Sequence, residues 1–81
     1  MGPESQRGYY KTKWNVYFGN KKIDAIASSF EDLGCGYARD AFNVFYYGER
    51  VDGTWAKSFK QTGNGYGEDQ FNVYYRGRKI E

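Results

Sequence analysis

Trp14-Asn15-Val16-Tyr17-Phe18, Phe42-Asn43-Val44-Phe45-Tyr46 and Phe71-Asn72-Val73-Tyr74-Tyr75 are one phrase written three times. An aromatic residue, Asn, Val and two further rings recur in the same order. β-Branched and aromatic side chains suit a pleated, half-buried surface, so each copy reads as a strand. Outward from the phrase the match continues. Gly8-Tyr9 falls on Gly36-Tyr37 at an offset of 28, and Gly36-Tyr37 falls on Gly65-Tyr66 at 29. Lys22-Ile23-Asp24 aligns with Arg50-Val51-Asp52 and Lys79-Ile80-Glu81. Ser29-Phe30 aligns with Ser58-Phe59, and Gly34-Cys35-Gly36 with Gly63-Asn64-Gly65. The chain therefore holds two full units and a partial one, the first copy lacking its Ser-Phe segment. A fixed period of this kind marks a repeat architecture.

Within one unit, Tyr47-Gly48 and Arg76-Gly77 are x-Gly pairs between short apolar runs. They predict tight hairpins, because Gly accepts positive φ. The first copy has Gly19-Asn20, the reverse order, which allows another turn type. Lys21 to Ile23, Glu49 to Val51 and Arg78 to Ile80 are the return strands. Ala25-Ile26-Ala27 and Trp55-Ala56-Lys57 are candidates for a helical or 3₁₀ turn. Phe30 to Leu33 and Phe59 to Thr62 read as strands, and the Gly-x-Gly triplets turn the chain back. Asp40 and Asp69 stand just before a strand, where a carboxylate closes a turn on backbone N–H groups. The fold class expected is all-β: an antiparallel meander of about four short strands per unit, forming a curled sheet, a small barrel or a short stacked array. Residues 1–7 read as a disordered tail or tag remnant, and 8–81 as a single repeat-built β domain.

The chain has 81 residues, of which 21% are aromatic. A chain this short buries only about 60% of its unfolded surface. Its nine Tyr, six Phe and two Trp answer that shortage, since each buried ring removes roughly 150–250 Å² from water. Alternation places Trp14, Val16 and Phe18 on one face of the first strand, with Phe42, Val44, Tyr46 and Phe71, Val73, Tyr75 in equivalent seats. That apolar face is expected to line the core. The opposite face carries Asn15 and Tyr17, Asn43 and Phe45, Asn72 and Tyr74. These six residues are the candidate binding site, because a ladder of rings beside Asn side chains suits stacking on an extended ligand. The same rings serve as cross-strand packing pairs, and so small a protein needs them for stability.

The stretch Phe59-x-x-x-Gly63-x-Gly65-Tyr66-x-x-Asp69-x-x-Asn72-Val73-Tyr74-Tyr75-x-Gly77-x-Lys79-Ile80 resembles the DKNYY repeat family of bacterial proteins. The middle unit repeats the pattern from Phe30 to Val51. Ala41 and Gln70 stand where the family has Lys, Thr12 where Asp is expected, and Phe18 and Phe45 where Tyr is. The resemblance implies a bacterial repeat protein, often associated with the cell envelope, with a binding or scaffolding role. It supplies no catalytic residues.

Residue chemistry points away from an enzyme. There is no His to serve as base or zinc ligand. Cys35 is the lone Cys, excluding an intrachain disulfide, and it sits between glycines in a turn. Glu31-Asp32 and Glu68-Asp69 are adjacent pairs, which a strand sends to opposite faces. Gly63-Asn64-Gly65-Tyr66-Gly67 lacks the following helix and Lys of a phosphate loop. No cofactor or metal is expected. Net charge is +2, and Lys21, Lys22, Arg76, Arg78 and Lys79 are flanked by Asp24 and Glu81, which argues against nucleic acid. No apolar run reaches the roughly 18 residues of a membrane span. The function expected is a non-catalytic module recognising a protein or a cell-surface polymer. The alternatives are a structural fragment of a longer array, self-associating through open strand edges, and a small inhibitor or immunity-type protein.

Overall fold

A computed structural model describes residues 8–80. The expectation for residues 1–7 falls outside them. Eleven short strands lie in three antiparallel sheets. The first sheet holds β1 (Tyr9–Lys11), β2 (Val16–Phe18) and β3 (Lys21–Ile23). The second holds β4 (Glu31–Gly34), β5 (Tyr37–Arg39), β6 (Val44–Tyr46) and β7 (Glu49–Val51). The third holds β8 (Lys60–Gly63), β9 (Tyr66–Glu68), β10 (Val73–Tyr75) and β11 (Arg78–Ile80). Strands pair only with their chain neighbours, as the meander reading requires. Each sheet is one repeat unit. The sheets do not join into a barrel but lie in a row, giving a body of 39 × 23 × 15 Å. Linkers carrying a 3₁₀ turn, Ala27–Ser29 and Ala56–Ser58, connect consecutive sheets.

Register repeats with the sequence. Val16 faces Ile23, Val44 faces Val51 and Val73 faces Ile80. Tyr9 faces Phe18, Tyr37 faces Tyr46 and Tyr66 faces Tyr75. The hairpins show why the x-Gly pairs recur. Tyr47 and Gly48 have φ of 46° and 83°, and Arg76 and Gly77 have 51° and 80°, the two positive values of a type I′ turn. Gly19 alone is positive in the first hairpin, at 61°, so the reversed pair Gly19-Asn20 follows the type II′ pattern.

Two clusters form the core, and each is a seam between sheets. Val16, Ile23, Ala27 and Phe45 are buried in the first, with Tyr9, Phe18 and Phe30 against them. Tyr37, Val44, Val51, Ala56, Phe59 and Tyr74 are buried in the second. The middle sheet is covered on both faces, since Val44 and Phe45 point opposite ways and both are buried. Sequence alternation anticipated one dry face; stacking makes two.

The inward placing of Trp14, Phe42 and Phe71 is corrected by the structure. Their residues are 76%, 71% and 66% exposed. The three sites are equivalent, but each lies in the turn before its strand, where alternation does not apply. Asp40 Oδ1 accepts the N–H groups of Phe42 and Asn43 at 2.8 and 2.7 Å. Asp69 Oδ1 accepts those of Phe71 and Asn72 at the same distances. The backbone is bent there, and the ring at its apex swings outward.

Candidate functional site

Three positions in each unit decide what the stack can offer: the turn aromatic, the ring after Val, and the Tyr of the preceding strand. The ring after Val was the sequence candidate. Phe45 and Tyr74 are buried in the two seams, and Tyr17 is half-buried with its ring stacked on Tyr10 at 5.3 Å. The solvent-facing ladder of Tyr17, Phe45 and Tyr74 is therefore corrected: the last two rings pack on the preceding sheet. The reason is stacking, which a single strand's pattern does not reveal: the middle sheet has a second dry face carrying Phe45, and in the third sheet the dry face is that of Tyr74, while Val73, expected in the core, is 43% exposed. Asn15, Asn43 and Asn72 are half-buried at the turns. The carbonyls of Asn43 and Asn72 accept the Asp40 and Asp69 N–H groups at 2.9 and 3.0 Å.

Turn aromatics take the exposed role. Trp14, Phe42 and Phe71 recur once per sheet at equivalent turns, all three exposed. The linker residue Trp55 joins them, its ring edge-on to Phe71 at a centroid distance of 6.2 Å. Phe42 and Trp55 also line a shallow groove with Ala56 and Lys57. The Lys13 ammonium lies 5.2 Å from the Trp14 ring. Cations beside ring faces suit π-rich or anionic ligands.

The turns that present these rings are rigidly built. Asp69 Oδ2 accepts the N–H of Trp55 at 2.8 Å and the Tyr74 hydroxyl at 3.1 Å. Burial alone would raise the Asp69 pKa, but the backbone N–H groups of Trp55, Phe71 and Asn72, with the Tyr74 hydroxyl, hold it below the usual carboxylate value. Asp40 Oδ2 likewise takes the N–H of Ile26 at 2.8 Å. In the first unit the shorter Thr12 does part of this work, its hydroxyl accepting the N–H groups of Trp14 and Asn15 at 3.3 and 3.0 Å. Ser29 and Ser58 hydroxyls accept the N–H groups of Ala41 and Gln70, tying each 3₁₀ turn to the same corner.

The Tyr of the preceding strand locks the sheets together. The Tyr9 hydroxyl donates to the Gly36 carbonyl at 2.8 Å and accepts the Gly48 N–H at 2.9 Å. Tyr37 does the same one unit on, with Gly65 at 2.9 Å and Gly77 at 3.0 Å. Both glycines of each pair belong to the turns of the next sheet. Burial raises both phenol pKa values, Tyr9 strongly. Sequence reading missed this lock. The signal was present in the conjunction of one Tyr and two turn glycines in every unit.

The acidic pairs do not converge. Glu31 pairs with Arg39, Asp32 accepts the Gly34 N–H, and Glu68 pairs with Lys60 at 3.6 Å. Cys35 is an exposed turn residue with φ 55°. Among the described residues no cluster of metal-ligating side chains occurs, and no helix is long and apolar enough to cross a membrane.

A row of stacked three- and four-stranded meanders, joined by tyrosine locks, defines a repeat-built all-β module. The chain belongs to the DKNYY family, whose model matches residues 4–80. Searches of curated proteins and of solved structures found no match.

Proposed function

We propose that this repeat module is a non-catalytic binding protein that recognises a protein or surface polymer through its row of turn aromatics. The observation that carries the reading is the exposure of Trp14, Phe42 and Phe71 at one equivalent corner of three stacked sheets, extended by Trp55. Large rings held in water by a built turn are a poor use of apolar surface unless something covers them. Stacked sheets are about 10 Å apart, so successive rings are spaced for an extended ligand rather than a small compact one. The residues that sequence reading weighed for acid–base or nucleophilic work are engaged in ion pairs and turns, which supports a role without chemistry.

Changing Trp14, Phe42 and Phe71 together to Ser tests this. Cosedimentation with insoluble peptidoglycan and chitin, and capture by immobilised cell-surface proteins, provide the readouts. Retention by any of these should fall at least tenfold, with far-ultraviolet circular dichroism and cooperative melting preserved. Wild-type retention by the triple variant overturns the aromatic row as the binding surface.

A further inference from the structure

The two ends of the stack are not alike. On the third sheet Tyr66, Val73 and Ile80 are 42%, 43% and 41% exposed, whereas their counterparts Tyr37, Val44 and Val51 are buried under the next sheet. Beside them lies a groove of about 470 Å³ lined by Glu68, Asp69, Phe71, Val73, Lys79 and Ile80. In the middle sheet the equivalent apolar residues are covered by the linker residues Ala56 and Phe59 and by Tyr74. The Tyr66 hydroxyl is the third copy of the lock, and among the described residues it engages no turn.

At the opposite end the first sheet differs from the later two at the seats that meet a preceding sheet. Gly48 and Gly77 bring their turns against the preceding sheet so closely that a Cβ would lie 3.0 Å from Phe18 and 2.9 Å from Tyr46. The first hairpin has Asn20 in that position, in a turn of the other type. Gly67 lies under the linker ring Phe59, where a Cβ would come within 2.4 Å of it, and Ala38 is its equivalent in the middle sheet. The first unit puts Tyr10 there, and this ring covers Tyr17 itself. The first sheet thus carries larger residues, Tyr10 and Asn20, at two seats that hold Ala or Gly in the later sheets.

We infer that the face made by Tyr66, Val73 and Ile80 is the docking seat for a further repeat unit of the Asp52–Ile80 type. Continuity with the two seams already formed argues for that occupant: two of its Gly-containing turns would supply the carbonyl and the N–H for Tyr66, as in the existing locks, and a linker Phe would cover Gly67's neighbours. Charge sets this seat apart from the two seams. Lys11 and Arg39 hold linker carbonyls of the next unit, Lys11 with Ala27 at 3.0 Å and Arg39 with Ala56 and Phe59 at 3.0 Å. Glu68 stands in their place, already paired with Lys60 at 3.6 Å, so the occupant's linker carbonyls receive no cation from this position.

The test is the full chain extended after Glu81 by a second copy of the Gly53–Glu81 segment, with Glu81 taking the place of Asp52. The melting temperature should rise, and nitration of Tyr66 by tetranitromethane should slow at least tenfold. Tyr66→Phe should lower the melting temperature of the extended chain and leave that of the original chain unchanged. An extension that stays unfolded with no change in melting temperature overturns the inference. So does concentration-dependent dimerisation of the original chain that Val73→Asp abolishes, because the occupant is then a second copy. Both readouts are independent of the aromatic row, so either proposal can fail alone.

Discussion

The seam between the first and second sheets and the seam between the second and third share one backbone scheme and differ in their rings. Tyr9 and Tyr37 make matching pairs of hydrogen bonds. Around them the first seam uses Phe18, Phe30 and Phe45, and the second uses Tyr46, Phe59 and Tyr74. Phe30 remains half-buried where Phe59 is buried. Gly67 lets the Phe59 ring settle fully, since a Cβ there would lie within 2.4 Å of it, and the equivalent residue of the middle sheet is Ala38. Phe45 has no hydroxyl, whereas Tyr74 carries one to Asp69 and to the Gly53 carbonyl at 3.3 Å. The lesson is that the lock is a backbone device, and the packing around it is free to vary.

Truncating the linker rings should separate the seams most. Phe59→Ala is expected to cost about 3–5 kcal/mol, the usual range for a buried Phe. Phe30→Ala should cost clearly less, both read from urea unfolding midpoints. Equal losses would mean that the half-buried ring carries as much of its seam as the buried one. Tyr9→Phe and Tyr37→Phe should each cost roughly 1–3 kcal/mol, by leaving a buried N–H and carbonyl without partners. Their phenol pKa values are raised in the fold, so the stabilisation is full below about pH 10 and is lost as pH climbs from there. Each Phe variant should flatten the alkaline limb of a stability–pH profile, Tyr9→Phe more than Tyr37→Phe.

Smaller effects probe the corners of the third unit. Asp69 has a lowered pKa, so its contribution is present above the unfolded carboxyl value and is lost as pH falls below about 4. Asp69→Asn should therefore weaken the fold at neutral pH and reduce its further loss in acid, seen by chemical denaturation at several pH values. Lys21 and Glu49 pair across the first seam at 2.8 Å with both side chains exposed. Exposed ion pairs contribute little, and Lys21→Ala should leave the melting temperature within error. A measurable drop would show that charge, as well as the tyrosine lock, distinguishes the first seam.

Much of this fold was legible in the residues. Repeat length, strand positions, x-Gly hairpins and the differing turn at Gly19-Asn20 all follow from local rules about φ, pleat and period. The Asp turns at Asp40 and Asp69 were legible too. The facing of Trp14, Phe42 and Phe71 was not, because strand alternation was carried two residues into a bend. Nor was the burial of Phe45 and Tyr74, because which face of a strand meets a neighbouring sheet is decided by stacking: the Phe45 strand has sheets on both sides, and the Tyr74 strand has its one neighbour on the face opposite Val73. The candidate site consequently moved from the ring after Val to the ring before Asn, within the same five-residue phrase.

Order along the chain, period and turn type were settled by sequence, since each depends on residues within a few positions of one another. Which of two apolar faces becomes seam and which ring stays in water was settled by the stacking of sheets. That stacking joins groups some 28 residues apart, such as the Tyr37 hydroxyl and the Gly65 carbonyl. Only when the next sheet arrives does a tyrosine find its turn, and only then do both faces of the middle sheet become interior.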